Sequence, residues 1–194
     1  MEVYLLKLNK LNPTLNSTML KLVEEAGELS REVRFQNIDG ICDELLDVAQ
    51  TTATFFFCLK DEYHLTDKEI EECMENHARK LHQKQYKPQG ECCIVDDKMI
   101  LPKLNGIGAT IPSTCLQIME EAGELAQICG KFTGASGEDK KKDRNEIKRL
   151  LLGGLLDVSQ TCVTMLYILK ERYNIDVQSA MEAHKTKMVE HGYL

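Results

Sequence analysis

The chain has 194 residues, 43% of them apolar and 28% charged, and its 31 acidic and 24 basic side chains leave a formal net charge of −7. An acidic balance speaks against nucleic acid or an anionic membrane surface as the partner, because both attract an excess of Lys and Arg. The N-terminal MEVYLLKLNK has neither the basic start nor the apolar core of a signal peptide, and no run approaches ~18 continuous apolar residues, so the cytoplasm is the expected location.

In chain order, the first predicted element is a helix with an apolar face through Leu20, Val23, Ala26, Gly27 and Leu29, capped by Asn16 or Ser17. It carries EEAGEL at 24–29, which places Glu24, Glu25 and Glu28 on neighbouring positions of one face. Lys21 and Arg31 stand one turn away, where they can neutralise Glu25 and Glu28. Gly27 costs a helix interior about 1 kcal/mol against alanine, which predicts a close approach of another helix or of a ligand. NIDG at 37–40 reads as a turn. A long apolar helix is expected over 43–63, although TTATFFF within it has strand character. A third helix is expected from about Asp67 to Lys84, capped by Thr66 or Asp67. KPQGECC then begins a connection over 87–98.

From residue 99 the pattern starts again. Lys7-Leu8-Asn9, Ser17-Thr18 and Glu24 reappear 96 residues later as Lys103-Leu104-Asn105, Ser113-Thr114 and Glu120. LLDVAQTTAT (45–54) reappears as LLDVSQTCVT (155–164), an offset of 110. Met74, His77, Lys80 and Tyr86 reappear as Met181, His184, Lys187 and Tyr193, an offset of 107. The larger middle offset puts 14 extra residues into the polar stretch 132–146, read as an exposed, mobile loop. The expected organisation is therefore repeat 1 over 1–86, a linker over 87–98 and repeat 2 over 99–194. The fold class is all-α, with tandem helical repeats packed as a bundle in which each copy covers the other's apolar face.

The chemistry lies in the carboxylates. Glu25 and Glu28 are three residues apart on one helix, and Glu44 and Asp47 are three apart on the next. If the two helices form a hairpin, these pairs meet at one level. Converging carboxylates cannot all stay ionised without a cation among them. Hard oxygen ligands with no Cys or His nearby select Mg²⁺, or Mn²⁺, over zinc. The eight cysteines show no CxxC and no Cys/His zinc spacing, and they read as reduced structural thiols. A Glu-rich helix is commonly only a solvated face. Asp47, set among Leu45, Leu46, Val48 and Ala49, argues otherwise, because a carboxylate there needs a partner.

EExxE on one helix followed by ExxD on the next resembles the MazG-like superfamily of all-α nucleoside triphosphate pyrophosphohydrolases, a group that includes dimeric dUTPases, dCTPases and phosphoribosyl-ATP pyrophosphatases. The resemblance covers each repeat through EEAGEL, DELLDVAQ and the closing Lys80, Lys84 and Tyr86. It implies Mg²⁺ held by Glu25, Glu28, Glu44 and Asp47, and hydrolysis of a (d)NTP to the monophosphate and pyrophosphate. Glu24, adjacent to the ligands, is the candidate to orient or deprotonate the attacking water. Lys21, Arg79, Lys80 and Lys84 are the candidate phosphate-binding side chains. Gln50, one turn after Asp47, is either a nucleotide contact or a buried structural amide. Relatives working as dimers or tetramers imply an intramolecular pseudo-dimer here and leave a homodimer of the tandem chain open.

The second copy keeps Glu120, Glu121, Glu124 and Asp157, but Gly153 and Gly154 replace Asp43 and Glu44. Its site is therefore expected to be degenerate. Two rival functions remain at this point. One is a non-catalytic nucleotide-binding or interaction bundle whose site has decayed. The other, a di-iron carboxylate protein, would need Glu-x-x-His pairs, which His77 and His184 do not provide.

Overall fold

In the computed structural model, residues 3–8, 10, 11, 13–134 and 143–194 are described. Six helices account for most of them: α1 (Leu15–Phe35), α2 (Ile38–Glu62), α3 (Asp67–Gln83), α4 (Ile111–Thr133), α5 (Arg144–Tyr173) and α6 (Val177–Glu190). Most of the polar insertion, residues 135–142, lies outside the described residues, whereas 144–146 already belong to α5.

Local chemistry sets the helix starts. Thr14 caps α1 and Thr110 caps α4, each in a reciprocal box with the Ser three residues on, so the cap lies slightly before the expected Asn16 or Ser17. Thr66 caps α3 in the same way through Glu69. Asn37 caps α2, and the expected turn at 37–40 is mostly first-turn helix. The turn itself is made by Gln36, in the left-handed region at φ 56. TTATFFF is helical, because Phe55, Phe56 and Phe57 on α2 are all buried and helical length outweighs local strand propensity.

The helices pack as two hairpins, α1 with α2 and α4 with α5, joined face to face through α2 against α5 and α1 against α4. Their apolar sides merge into one core that includes Leu22, Leu45, Phe55, Ile118, Leu155 and Leu166. An 18-residue window of α5 is apolar enough to cross a membrane by composition, yet 72% of it is buried within the bundle. The third helices lean on the opposite hairpin, although α6 also touches α5. α3 packs on α5, and α6 packs on α2.

Five short strands depart from a purely helical expectation. β1 (Tyr4–Leu6) pairs antiparallel with β4 (Lys98–Ile100), which pairs with β3 (Cys93–Val95). β2 (Lys87–Gln89) pairs with β5 (Lys103–Asn105). Residues 87–100 thus contribute three strands, of which β4 ties the N-terminal segment to this connection.

Gly27 and its counterpart Gly123 do not mark a close approach: a Cβ on either would meet nothing within 4 Å. The tight glycine is Gly154, where a Cβ would lie 2.7 Å from Leu125 Cδ2. All eight cysteines are free thiols. Burial pushes the Cys42, Cys73 and Cys129 thiols up to about 11 and that of Cys92 to about 12, which leaves them protonated at neutral pH.

Phe55 is fully buried on α2. Phe55→Ala is expected to cost about 3–5 kcal/mol through lost transfer energy and the cavity left behind, read as a lower urea midpoint with an unchanged slope.

Candidate metal and phosphate site

Glu25 and Glu28 project from α1 toward α2, where Glu44 meets them. One carboxylate oxygen from each lies within 4.8 Å of the others, and among the described residues no other group of three His, Cys, Asp or Glu side chains converges so closely. Glu25 is only 5% exposed. Burial pushes its carboxyl up, against the pull of Lys21, and the charges of Asp47 and Glu28 push it the same way. Burial likewise raises Glu44, with Glu28, Asp47 and Glu25 adding repulsion. The cluster is short of positive charge.

Two ammonium groups answer part of that need. Lys21 Nζ lies 2.5 Å from Glu25 Oε1 and 3.2 Å from Glu24 Oε1. Burial works against its charge, but the bonds to Glu25 and Glu24 win and hold it above its ordinary value. Lys187, on α6 of the other repeat, donates to both oxygens of Asp47 at 2.8 and 3.2 Å. His184 Nδ1 stands 3.7 Å from the same carboxylate. Asp47 therefore borders the triad but is closed by α6. Despite its own burial, Lys187 is raised by Asp47 first and by Glu25 and Glu44 more weakly.

The other expected residues fall on both sides of the molecule. Glu24 points outward with its side chain 58% exposed and is linked to the cluster only through Lys21. Gln50 is buried and donates to the Leu6 carbonyl at 2.8 Å, holding β1 to α2, so its amide is engaged structurally. Lys80 and Lys84 line pockets of the second half, and Lys80 is paired with Asp157 there. Arg79, on the same helix, is exposed. The basic side chain that α3 was expected to bring to Glu25 is thus supplied by α6, because the third helices are exchanged. A cavity of about 260 Å³ opens beside the cluster, lined by Lys21, Glu25, Asp47 and Gln50 from the first repeat and by Met188 and Tyr193 from the second.

The second half repeats the connections without the triad. Gln160 donates to the Pro102 carbonyl at 2.9 Å, as Gln50 does to Leu6. His77 Nδ1 stands 3.4 Å from Asp157, whose other oxygen takes Lys80. Burial would raise Asp157, yet His77 and Lys80 together hold it below the usual carboxylate range. Glu120 and Glu124 are exposed. Glu121 accepts from Gln117 at 3.0 Å and from the Thr161 hydroxyl at 3.1 Å. Burial still pushes it up to about 7.

Residues 13–87 match the family model of the MazG nucleotide pyrophosphohydrolase domain. Over that stretch the chain is similar to a MazG domain. The match spans α1, α2 and α3 and ends before α4. No curated protein and no solved structure matches the chain. The converging glutamates of this MazG-like stretch were legible from their spacing, whereas Lys187, His184, Met188 and Tyr193 beside them were not assigned. The offset of 107 marked His184, Lys187 and Tyr193 as counterparts of His77, Lys80 and Tyr86, but it does not say which half a helix docks on.

The elevated Glu121 gives a pH prediction. Its ionised form is disfavoured in the fold, so the protein loses stability as pH rises from the ordinary value of 4.5 through about 7. Glu121→Gln is expected to match the parent below that range and to exceed it by up to about 3 kcal/mol above it, measured by urea denaturation at a series of pH values.

Proposed function

We propose that the chain is a divalent-cation-dependent nucleoside triphosphate pyrophosphohydrolase whose working site is Glu25, Glu28 and Glu44 of the MazG-like stretch. The observation that carries this reading is the convergence of three carboxylates from two helices, with Glu25 almost wholly buried. The donor set fits Mg²⁺ or Mn²⁺: all ligand atoms are hard oxygens, and Glu25 and Glu44, raised first by burial and then by neighbouring carboxylates, would be stabilised in their charged form by a cation. Asp47 is the reserve ligand, available when Lys187 turns away.

A bound Mg²⁺ would screen the charge that builds on phosphate oxygens and make water a better nucleophile. The chain's own groups supply the rest. Lys21 and Lys187, which now pair with Glu25 and Asp47, are the flexible ammonium groups placed to reach phosphate oxygens. Glu24 holds Lys21 and faces solvent, which suits a positioning role on that lysine and on incoming water. Met188 and Tyr193 give the neighbouring cavity an apolar wall for a base or sugar, so the second repeat completes the pocket of the first. The closure of Asp47 by Lys187 and His184 favours one alternative, nucleotide binding without turnover.

The test is a screen of (d)NTPs with Mg²⁺ that reads pyrophosphate against orthophosphate. Pyrophosphate release is expected, reduced roughly 100-fold or more by Glu28→Gln and changed no more than about twofold by the exposed Glu124→Gln. Orthophosphate as the sole product, or equal losses in the two variants, would sink the reading. Nucleotide binding with no turnover would select the alternative.

A further inference from the structure

Among the described residues a second cavity is larger than the one beside the glutamate triad. It lies between α3 and the first turns of α5, measures about 720 Å³, and is lined in part by His77, Lys80, Lys148, Arg149, Gly153 and Asp157. A pocket of that size holds a nucleotide-sized ligand.

Along α5 its lining differs in charge from the matching stretch of α2. At the offset of 110, Ile38, Asp39, Asp43 and Glu44 of α2 correspond to Lys148, Arg149, Gly153 and Gly154 of α5. Three carboxylates have gone, and two cations have appeared. Simple decay of a metal site removes ligands; it does not install an ammonium and a guanidinium along the same helix. Gly154 is filled by Leu125, but a Cβ at Gly153 would meet nothing within 4 Å, so open space lies where the first repeat carries Asp43.

Four acidic side chains, Glu69, Glu72, Glu146 and Asp157, also line the cavity, and each has a partner. Asp157 is held by Lys80 and His77. Glu69 accepts from the Thr66 amide and hydroxyl at 2.8 Å each. Glu72 stands 3.9 Å from Lys68. Lys148 lies over the Tyr63 ring, and no hydrogen bond or ion pair engages Arg149 among the described residues. His77 is 4% exposed, and its Nε2 has no hydrogen-bond partner. A buried polar atom left unpaired on a cavity wall is a cost that a ligand contact removes.

We propose that this cavity binds an organic phosphate of nucleotide size without a metal ion, as a site separate from the Glu25–Glu28–Glu44 cluster. The phosphate chemistry rests on Lys148, Arg149 and the vacated carboxylate positions; the nucleotide class rests on the proposed function. Arg149 and Lys148 hold the phosphate, and the orphan His77 Nε2 meets a polar group of the ligand body. The site is a place for a product or effector to act on the catalytic half, since α3 and α5 pack against each other and α5 packs on α2.

Isothermal titration in EDTA, which silences the cation-dependent site, tests this with nucleoside 5′-monophosphates and inorganic pyrophosphate as probes. At least one monophosphate is expected to bind with a stoichiometry of one per chain. Arg149→Glu and Gly153→Asp each weaken it roughly tenfold or more, and Glu28→Gln leaves it unchanged. Arg149 is exposed and Gly153 has room for a side chain, so both variants fold, as circular dichroism will verify. No binding in EDTA, binding indifferent to both substitutions, or binding lost in Glu28→Gln overturns the proposal. So does binding of pyrophosphate alone. Absence of EDTA-resistant binding in a protein that still releases pyrophosphate with Mg²⁺ removes this site and leaves the proposed function standing. EDTA-resistant binding without turnover does the reverse.

Discussion

Two aspartates on the central helices are each bridged by a histidine and a lysine from the other repeat's last helix. Asp47 takes His184 and Lys187 of α6, and Asp157 takes His77 and Lys80 of α3. A partly buried carboxylate stripped of such partners is strongly destabilising, on the order of 3–5 kcal/mol. The two halves therefore cannot part without leaving two charges unanswered. This exchange of third helices decides which cations reach the two aspartates, and it brings the wall that Met188 and Tyr193 give to the pocket beside Glu25.

On that shared frame the two ends have diverged in charge. The first concentrates carboxylates until they repel, and two ammonium groups occupy part of the space a divalent ion would take. The second keeps Glu121 and Asp157 but has Arg149, Gly153 and Gly154 where the first has Asp39, Asp43 and Glu44. Leu125 fills the volume over Gly154, so the loss of the Glu44 counterpart is built into the packing. A carboxylate could not be restored there without moving that leucine.

Much was legible in advance because it rests on local spacing. The helices follow from apolar periodicity and capping residues, and Glu25, Glu28 and Glu44 meet as their i,i+3 spacing on a hairpin requires. Other expectations failed for nonlocal reasons. Gly27 reads as a contact point but faces open space, while Gly154, read as a mere loss, is the tight position. Residues 87–98 carry no strong strand pattern, and they become strands because β1 and β5 offer edges to pair with. Gln50, open between ligand contact and structural amide, is fixed by the Leu6 carbonyl, a partner 44 residues away.

By itself, then, the sequence determined the helices, the recurrence of its motifs and the acidic character of EEAGEL and DELLD, because all three depend on side chains a few residues apart or on direct comparison of two stretches of the chain. Only the tertiary structure decided which cations face which carboxylates. Lys80 and Lys187 are equivalent by sequence and belong by default to their own halves. The short connections after α2 and α5 instead send each third helix across the bundle, where burial of Met74, Leu81, Met181 and Met188 holds it in place. Long-range packing of apolar faces sets that choice, and no local pattern in the chain records it.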